Sequence, residues 1–254
     1  MKRGTSPFST QLLRDLPGLR VSAGGIVKQI KRLAKWLDGK YQDLIRRMRA
    51  SPHVHADETG WRIDGKNFWL WVFTDPTFTL YHVDESRGGK VPLKLLGKAF
   101  GGTTVCDFYS AYNALHGDKQ RCLAHLMRET KELGESHADF ADSPLSRKLL
   151  RWCQDALRLK KCWEELPDAG YEMRASRLEG RLDQLIASPQ DHPDARRLCK
   201  RLSRHREELT RFCGTKRWRA PTTPPSGRCG PPCCGARVRS VPRATPAPAS
   251  SSGC

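Results

Sequence analysis

Residues 68–83 hold the pattern that most restricts how this chain folds. Phe68-Trp69-Leu70-Trp71-Val72-Phe73-Thr74-Asp75 is aromatic and β-branched, bounded by Asp64-Gly65-Lys66 and Asp75-Pro76. Such a run reads as a strand. Thr77–Val83 alternates in polarity and reads as its partner across the Asp-Pro-Thr turn. A two-stranded hairpin is marginal by itself, so this one needs further strands and a covering layer. The neighbours supply both. His53–Asp57 is a short strand leading into Glu58-Thr59-Gly60, which reads as a turn. Val91–Phe100 steps helically through Leu93, Leu96 and Phe100 and stops at Gly101-Gly102. Thr103–Asp107 is a fourth short strand, and Gln120–Leu133 a helix. This order predicts an α/β fold with a mixed sheet. The first three strands run antiparallel, and a crossover helix sets the fourth beside the first.

The flanks are helical. Gly24–Ala50 repeats Ile26, Ile30, Leu33, Leu37, Tyr41, Leu44, Ile45 and Met48 at three- and four-residue steps, with Lys28, Lys31, Arg32, Lys35, Arg46 and Arg47 on its other face. Those charges suit either a solvated face or phosphate contact. Ser143–Phe212 is helical with breaks at Pro167–Gly170 and Ser188–Pro193, a helical insertion. From Arg219 onward Leu, Ile, Phe, Asn, Asp and Glu are absent, and eight of the 17 prolines fall there. That composition predicts a disordered C-terminal tail. The expected organisation is a helical segment over 1–50, a core over 51–142, the insertion over 143–215 and the tail over 216–254.

The chain carries 45 Lys+Arg against 27 Asp+Glu, a net +18, of which Lys216–Cys254 supplies +7. The body keeps +11, pointing to a polyanionic partner, most often nucleic acid. No apolar run reaches the roughly 18 residues of a membrane span, and no secretory leader core is visible, so a cytoplasmic, nucleoid-associated protein with no membrane partner is expected. The ten cysteines show no spaced disulfide framework. Cys122-x-x-His125 has a metal-like spacing but lacks the second pair that tetrahedral zinc requires. Trp61, Trp69 and Trp71 read as core and strand-face aromatics in preference to a base-stacking platform.

Asp57 and Asp107 each end a strand, and if those strands are neighbours the two carboxylates share a divalent ion. Hard cations take oxygen ligands and keep positions open for water and phosphate. Two such ions drive phosphodiester chemistry. For a lone Asp after a strand, turn capping is the other reading.

The wider motifs add to this. His55-Ala56-Asp57-Glu58-Thr59-Gly60-Trp61-Arg62 is followed by Phe68–Phe73, Asp84-Glu85-Ser86-Arg87, Cys106-Asp107-Phe108-Tyr109-Ser110-Ala111-Tyr112-Asn113 and Cys122-Leu123-Ala124-His125-Leu126-Met127-Arg128-Glu129. In order and spacing these resemble the insertion sequence 66 family of bacterial transposases over about residues 5–215. The resemblance implies an RNase-H-like core of the Asp-Asp-Glu type, with Asp57 and Asp107 as the first two metal-binding carboxylates and Mg²⁺ or Mn²⁺ as cofactor. It also implies metal-dependent strand cleavage and strand transfer on double-stranded DNA, that is, on the element's ends and its target. Arg62, Arg87, His125 and Arg128 are the candidate DNA contacts.

One departure stands out. The family's third carboxylate lies in Asn-Asn-x-x-Glu-Arg, where this chain reads Pro221-Thr222-Thr223-Pro224-Pro225-Ser226-Gly227-Arg228. A frameshift near Thr222 accounts for the change, and predicts a catalytically incomplete enzyme. Family members also commonly carry an N-terminal zinc-finger-like and DNA-binding region not seen here. Glu207 or Glu208 is the candidate replacement acid, although a surface helix explains both. The alternative function is a non-catalytic DNA-binding or regulatory fragment. Homo-oligomer formation is left open.

Overall fold

The computed structural model describes residues 22–162 and 164–213; the tail expected over 216–254 lies outside the described residues. Helix α1 (Ala23–Ala50) starts where the Ser22 hydroxyl accepts from Gly25 N–H at 3.1 Å, a serine cap, and stops ahead of Pro52. Only its second half enters the core, through Ile45 and Met48. There Arg49 donates to the carbonyls of Leu95 and Lys94, both at 2.9 Å.

The sheet consists of β1 (His53–Ile63), β2 (Lys66–Thr74), β3 (Thr79–Asp84), β4 (Thr103–Cys106) and β5 (Lys119–Arg121), in the order β3-β2-β1-β4-β5. The first three pair antiparallel, and β1, β4 and β5 pair parallel. A mixed sheet with the fourth strand beside the first is therefore what the sequence pattern predicted. Crossover helix α2 (Lys90–Leu96) buries Val91, Pro92, Leu95 and Leu96 against α1 and the sheet. At its start Gly89 passes so close to Ala111 that an added Cβ would meet the Ala111 carbonyl at 2.7 Å.

Four local expectations are corrected. Glu58-Thr59-Gly60 is no turn: β1 continues through it to Ile63, with Gly60 opposite Trp69. The reversal falls at Asp64 and Gly65, whose φ values of 50° and 79° are those a two-residue hairpin turn demands. Second, α2 ends at Gly97, at φ 86°, before the Gly101-Gly102 pair. Third, Lys119-Gln120-Arg121 is a strand, and the helix expected from Gln120 begins at Leu123. Three polar residues carry no strand signal in sequence, yet Gln120 and Arg121 are wholly buried. Fourth, Gly170 lies inside a helix, one turn past the Pro167 break.

The remainder is helical: α3 (Leu123–Ser136), α4 (Ala138–Ala141), α5 (Pro144–Lys161), α6 (Asp168–Ala187), α7 (Pro193–Arg204) and α8 (Arg206–Thr210). The second break falls where the sequence placed it, between Ala187 and Pro193, while the first lies between Lys161 and Asp168 and so mostly ahead of the expected Pro167–Gly170. Ser143 caps α5, its hydroxyl accepting from Ser146 N–H at 3.1 Å ahead of Pro144. α3 packs on α5, α5 on α6 and α6 on α7. Their apolar faces merge into one cluster from Leu123 to Cys213, while a second joins α1, α2 and the sheet. The six cysteines among the described residues are free thiols. No helix among the described residues is long and apolar enough to cross a membrane.

Candidate metal and nucleic-acid site

The parallel pairing of β1 with β4 sets His55 opposite Val105. The printed pairing ends there; carried two residues further, the same register would bring Asp57 level with Asp107, on chain segments whose spacing in a sheet is roughly 5 Å. The Cys122 thiol at the start of α3 senses both. Burial pushes it up to about 11, with the charges of Asp57 and Asp107 adding to the shift. Asp57 is buried and its Oδ1 accepts from Glu58 N–H at 3.0 Å. Asp107 Oδ1 accepts from Tyr109 N–H at 2.9 Å, a turn-forming bond that fixes the chain as it leaves β4. Turn capping and a shared ion are therefore compatible roles for Asp107.

His125 lies one turn into α3. Its Nδ1 is buried with no hydrogen-bond partner. Burial lowers its pKa, Arg128 adds to the lowering, and Asp107 opposes it. Two hard carboxylates fit a divalent cation whose shell water and substrate oxygens complete, while His125 senses the Asp107 charge. Among the described residues no third His, Cys, Asp or Glu closes a three-donor cluster around this pair. The one such group, His137, His192 and Asp194, lies elsewhere. There His192 Nδ1 accepts from Asp194 N–H at 3.1 Å and caps α7, while Nε2 lies 3.3 Å from Asp139. Its acceptor nitrogen is thus already used by the helix.

The other sequence candidates separate. Arg62 lies five residues beyond Asp57 on the exposed end of the β1–β2 hairpin, roughly 17 Å along the strand, and donates to Asn67 at 3.2 Å. Arg87 stacks between the Trp69 and Tyr109 rings, 4.4 and 4.0 Å from their centroids, and donates to Glu58 at 2.9 and 3.2 Å. Tyr112 donates to the other Glu58 oxygen at 2.6 Å. Burial raises the Glu58 pKa, and the Tyr112 and Arg87 hydrogen bonds pull against it. Strand alternation turns Glu58 away from Asp57. It nonetheless ties β1 to the turn that follows Asp107. Arg128 lies on α3, half-buried. Trp71 is fully buried and donates to the Ser86 carbonyl at 3.1 Å, whereas Trp61 is 38% exposed on the hairpin.

Sequence reasoning missed Arg121. Its side chain is completely buried at the end of β5 and donates to the Asp107 carbonyl, to Asn113 at 2.9 Å and to Glu208 at 2.5 Å. Glu208 also bonds His205 at 2.8 Å. Gln120 beside it donates to the Leu209 carbonyl at 3.2 Å and accepts from Phe212 N–H at 3.1 Å. Glu208 is thus held by a buried guanidinium, and Glu207 is exposed. The Lys-Gln-Arg triplet carried no signal that could have foretold this junction.

No curated protein matches the chain. The family model described as "Transposase IS66 family" matches residues 9–222. With that match spanning most of the sequence, the chain belongs to the IS66 family of transposases.

Proposed function

We propose that the described residues form an RNase-H-like nuclease core, residues 51–142, carrying a helical insertion, residues 143–215, and that the core acts on the DNA of an insertion sequence. The observation that carries this reading is the β1–β4 register, which carried two residues further would level Asp57 with Asp107. Asp57 and Asp107 would hold Mg²⁺ or Mn²⁺. A divalent ion bound there would polarise the scissile phosphate and make a better nucleophile of water or a DNA 3′-hydroxyl. The chain's own groups set the stage. The Asp107 turn and the Arg121 bond to the Asp107 carbonyl fix one carboxylate, and the β1 ladder fixes the other. The basic body, +11 without its last 39 residues, draws in the phosphate backbone. Arg62, Arg87 and Arg128 are proposed to meet that backbone, positioning it without reading sequence.

The expected strand cleavage by this chain is absent or very weak. Two carboxylates hold two cations poorly, and Glu208 is already paired with Arg121. The test combines metal binding with nicking. Mn²⁺ titration followed by electron paramagnetic resonance should show a site that weakens at least about tenfold in Asp57→Asn and in Asp107→Asn. Supercoiled plasmid should stay intact in Mg²⁺. Unchanged Mn²⁺ affinity in both variants would overturn the shared site. Nicking that vanishes in both would overturn the proposed inactivity and reveal a third acid. The positive charge of the body also favours a second reading, a DNA-binding or regulatory fragment without catalysis. Under it, duplex affinity survives both substitutions and chelation.

A further inference from the structure

α1 divides into two unlike halves. From Tyr41 onward it is docked: Tyr41 donates to or accepts from His82 at 2.8 Å, and Ile45 and Met48 are buried. From residue 28 to residue 40 every position is exposed, and Gly25, Ile26 and Val27 just before it are half-buried. That half still carries an apolar stripe, with Ile30 58%, Leu33 52%, Trp36 74% and Leu37 41% exposed. Gly39 lies within it, and Gly24 and Gly25 open the helix. A glycine-bearing helix that projects without tertiary cover frays in water, because most helical stability comes from packing an apolar face.

Where the charges fall decides what fits this face. Place Ile30 and Leu37 at the a positions of a heptad, which puts Ile26 and Leu33 at d. The flanking e and g positions are then Val27, Ala34, Gln29 and Trp36, none of them charged. Lys28, Lys31, Arg32 and Lys35 all fall at b, c or f, turned away from the seam. A seam of this kind brings no like charges together when it meets its own copy. It also offers a phosphate backbone nothing, since the basic rows face elsewhere.

We propose that α1 pairs with α1 of a second copy of this chain, antiparallel, about a twofold axis near residues 31 and 32. In that arrangement a meets d across the seam. Leu37 meets the second copy's Ile26, and Ile30 meets the second copy's Leu33, giving four all-apolar layers. Parallel pairing would instead stack Lys40, the next d residue, on its own copy. Antiparallel pairing leaves Lys40 beyond the last layer, opposite Ala23. It also places Tyr41, where each body begins, level with the other helix's Ser22 cap. The two bodies therefore stand at opposite ends of the paired helices and do not collide. The pairing is isologous and closed, so it yields a dimer and not a filament.

Sedimentation velocity on the full chain under reducing conditions, across the micromolar range, tests this. The wild type is expected to sediment as a dimer. Leu33→Asp is expected to be monomeric, with self-association weakened at least roughly 100-fold because each dimer loses two seam leucines. Its thermal unfolding should match the wild type's at concentrations below the wild-type dimer's Kd, since Leu33 belongs to neither core cluster. Lys40→Leu should leave the dimer affinity as it was. A monomeric wild type, or a dimer that survives Leu33→Asp, overturns the proposal. A monomer destabilised by Leu33→Asp would mean that residues 1–21 of the same chain cover the stripe. A monomer whose affinity for duplex DNA or anionic vesicles falls in Leu33→Asp would give the face to those partners. Dimerisation tightened tenfold or more by Lys40→Leu would overturn the antiparallel orientation.

Discussion

The sheet half and the helical half bury different things. Around the sheet, His53, His55, Asp57, Thr74, Thr103, Thr104, Gln120 and Arg121 are buried beside the hydrophobic residues. The helical half buries fewer, Thr130, Ser146, Lys160, His205 and Thr210, around a cluster of leucine, alanine, aromatic and cysteine side chains. Buried polar groups stabilise a fold only when satisfied, and an unsatisfied one is costly. A region that accumulates them is held for something other than stability alone. The helical half is scaffold by the same reasoning. The two meet at Arg121, Gln120 and α8, where side-chain hydrogen bonds from β5 accept or clamp the last helical residues.

The comparison breaks most visibly at Trp152. This residue is fully buried in the helical cluster and donates to the Leu178 carbonyl at 2.8 Å. Trp152→Ala opens a cavity and strands that carbonyl, and should cost about 4 kcal/mol in urea denaturation. Mn²⁺ affinity of the molecules that remain folded should not change, because no sheet residue is disturbed. A metal affinity that falls with this substitution would erase the division between scaffold and site.

Arg121→Met sharpens the boundary itself. It leaves Glu208 without its guanidinium partner and frees the Asp107 carbonyl, so a loss of about 3 kcal/mol is expected. Unlike Trp152→Ala, it should also weaken Mn²⁺ binding, because it releases the chain that carries Asp107. A stability loss with unaltered metal affinity would reduce Arg121 to a purely structural clamp.

The smallest expected effect is a gain. Lys160 is the charged exception inside the helical cluster, and burial lowers its pKa to about 8, with the Cys213 thiol opposing the shift. A lysine whose folded pKa lies below its unfolded value of about 10.4 binds fewer protons when folded, so stability rises with pH between those values. Lys160→Met should therefore raise the melting temperature at pH 7, and the advantage should shrink between about pH 8 and pH 10. A difference independent of pH would mean that the ammonium group carries no burial cost.

How much of this was legible follows from the range of the signals. The β2–β3 hairpin, the helix breaks at Pro167 and Ser188–Pro193, and the meeting of the first and fourth strands were written in local periodicity and order. The extent of β1 was not. Glu58-Thr59-Gly60 has turn composition, and only the ladder to Trp69, Leu70 and Trp71 keeps it extended. Nor was the Glu58 cluster, whose partners Arg87 and Tyr112 are 29 and 54 residues away. Lys119-Gln120-Arg121 was the hardest. A polar triplet becomes a buried strand only when residues from α8 arrive to satisfy it, and nothing within the triplet announces them.

That last dependence sets an order of events during synthesis. Glu208 follows Arg121 by 87 residues, so the emerging polypeptide completes the Asp107 strand long before its counter-ion leaves the ribosome. Until then the guanidinium has the Asp107 carbonyl and Asn113 but no counter-ion, and Gln120 lacks Leu209 and Phe212. The turn that carries Asp107 is therefore fully clamped late. A nascent chain halted before His205 would own both aspartates yet lack the full clasp on the second.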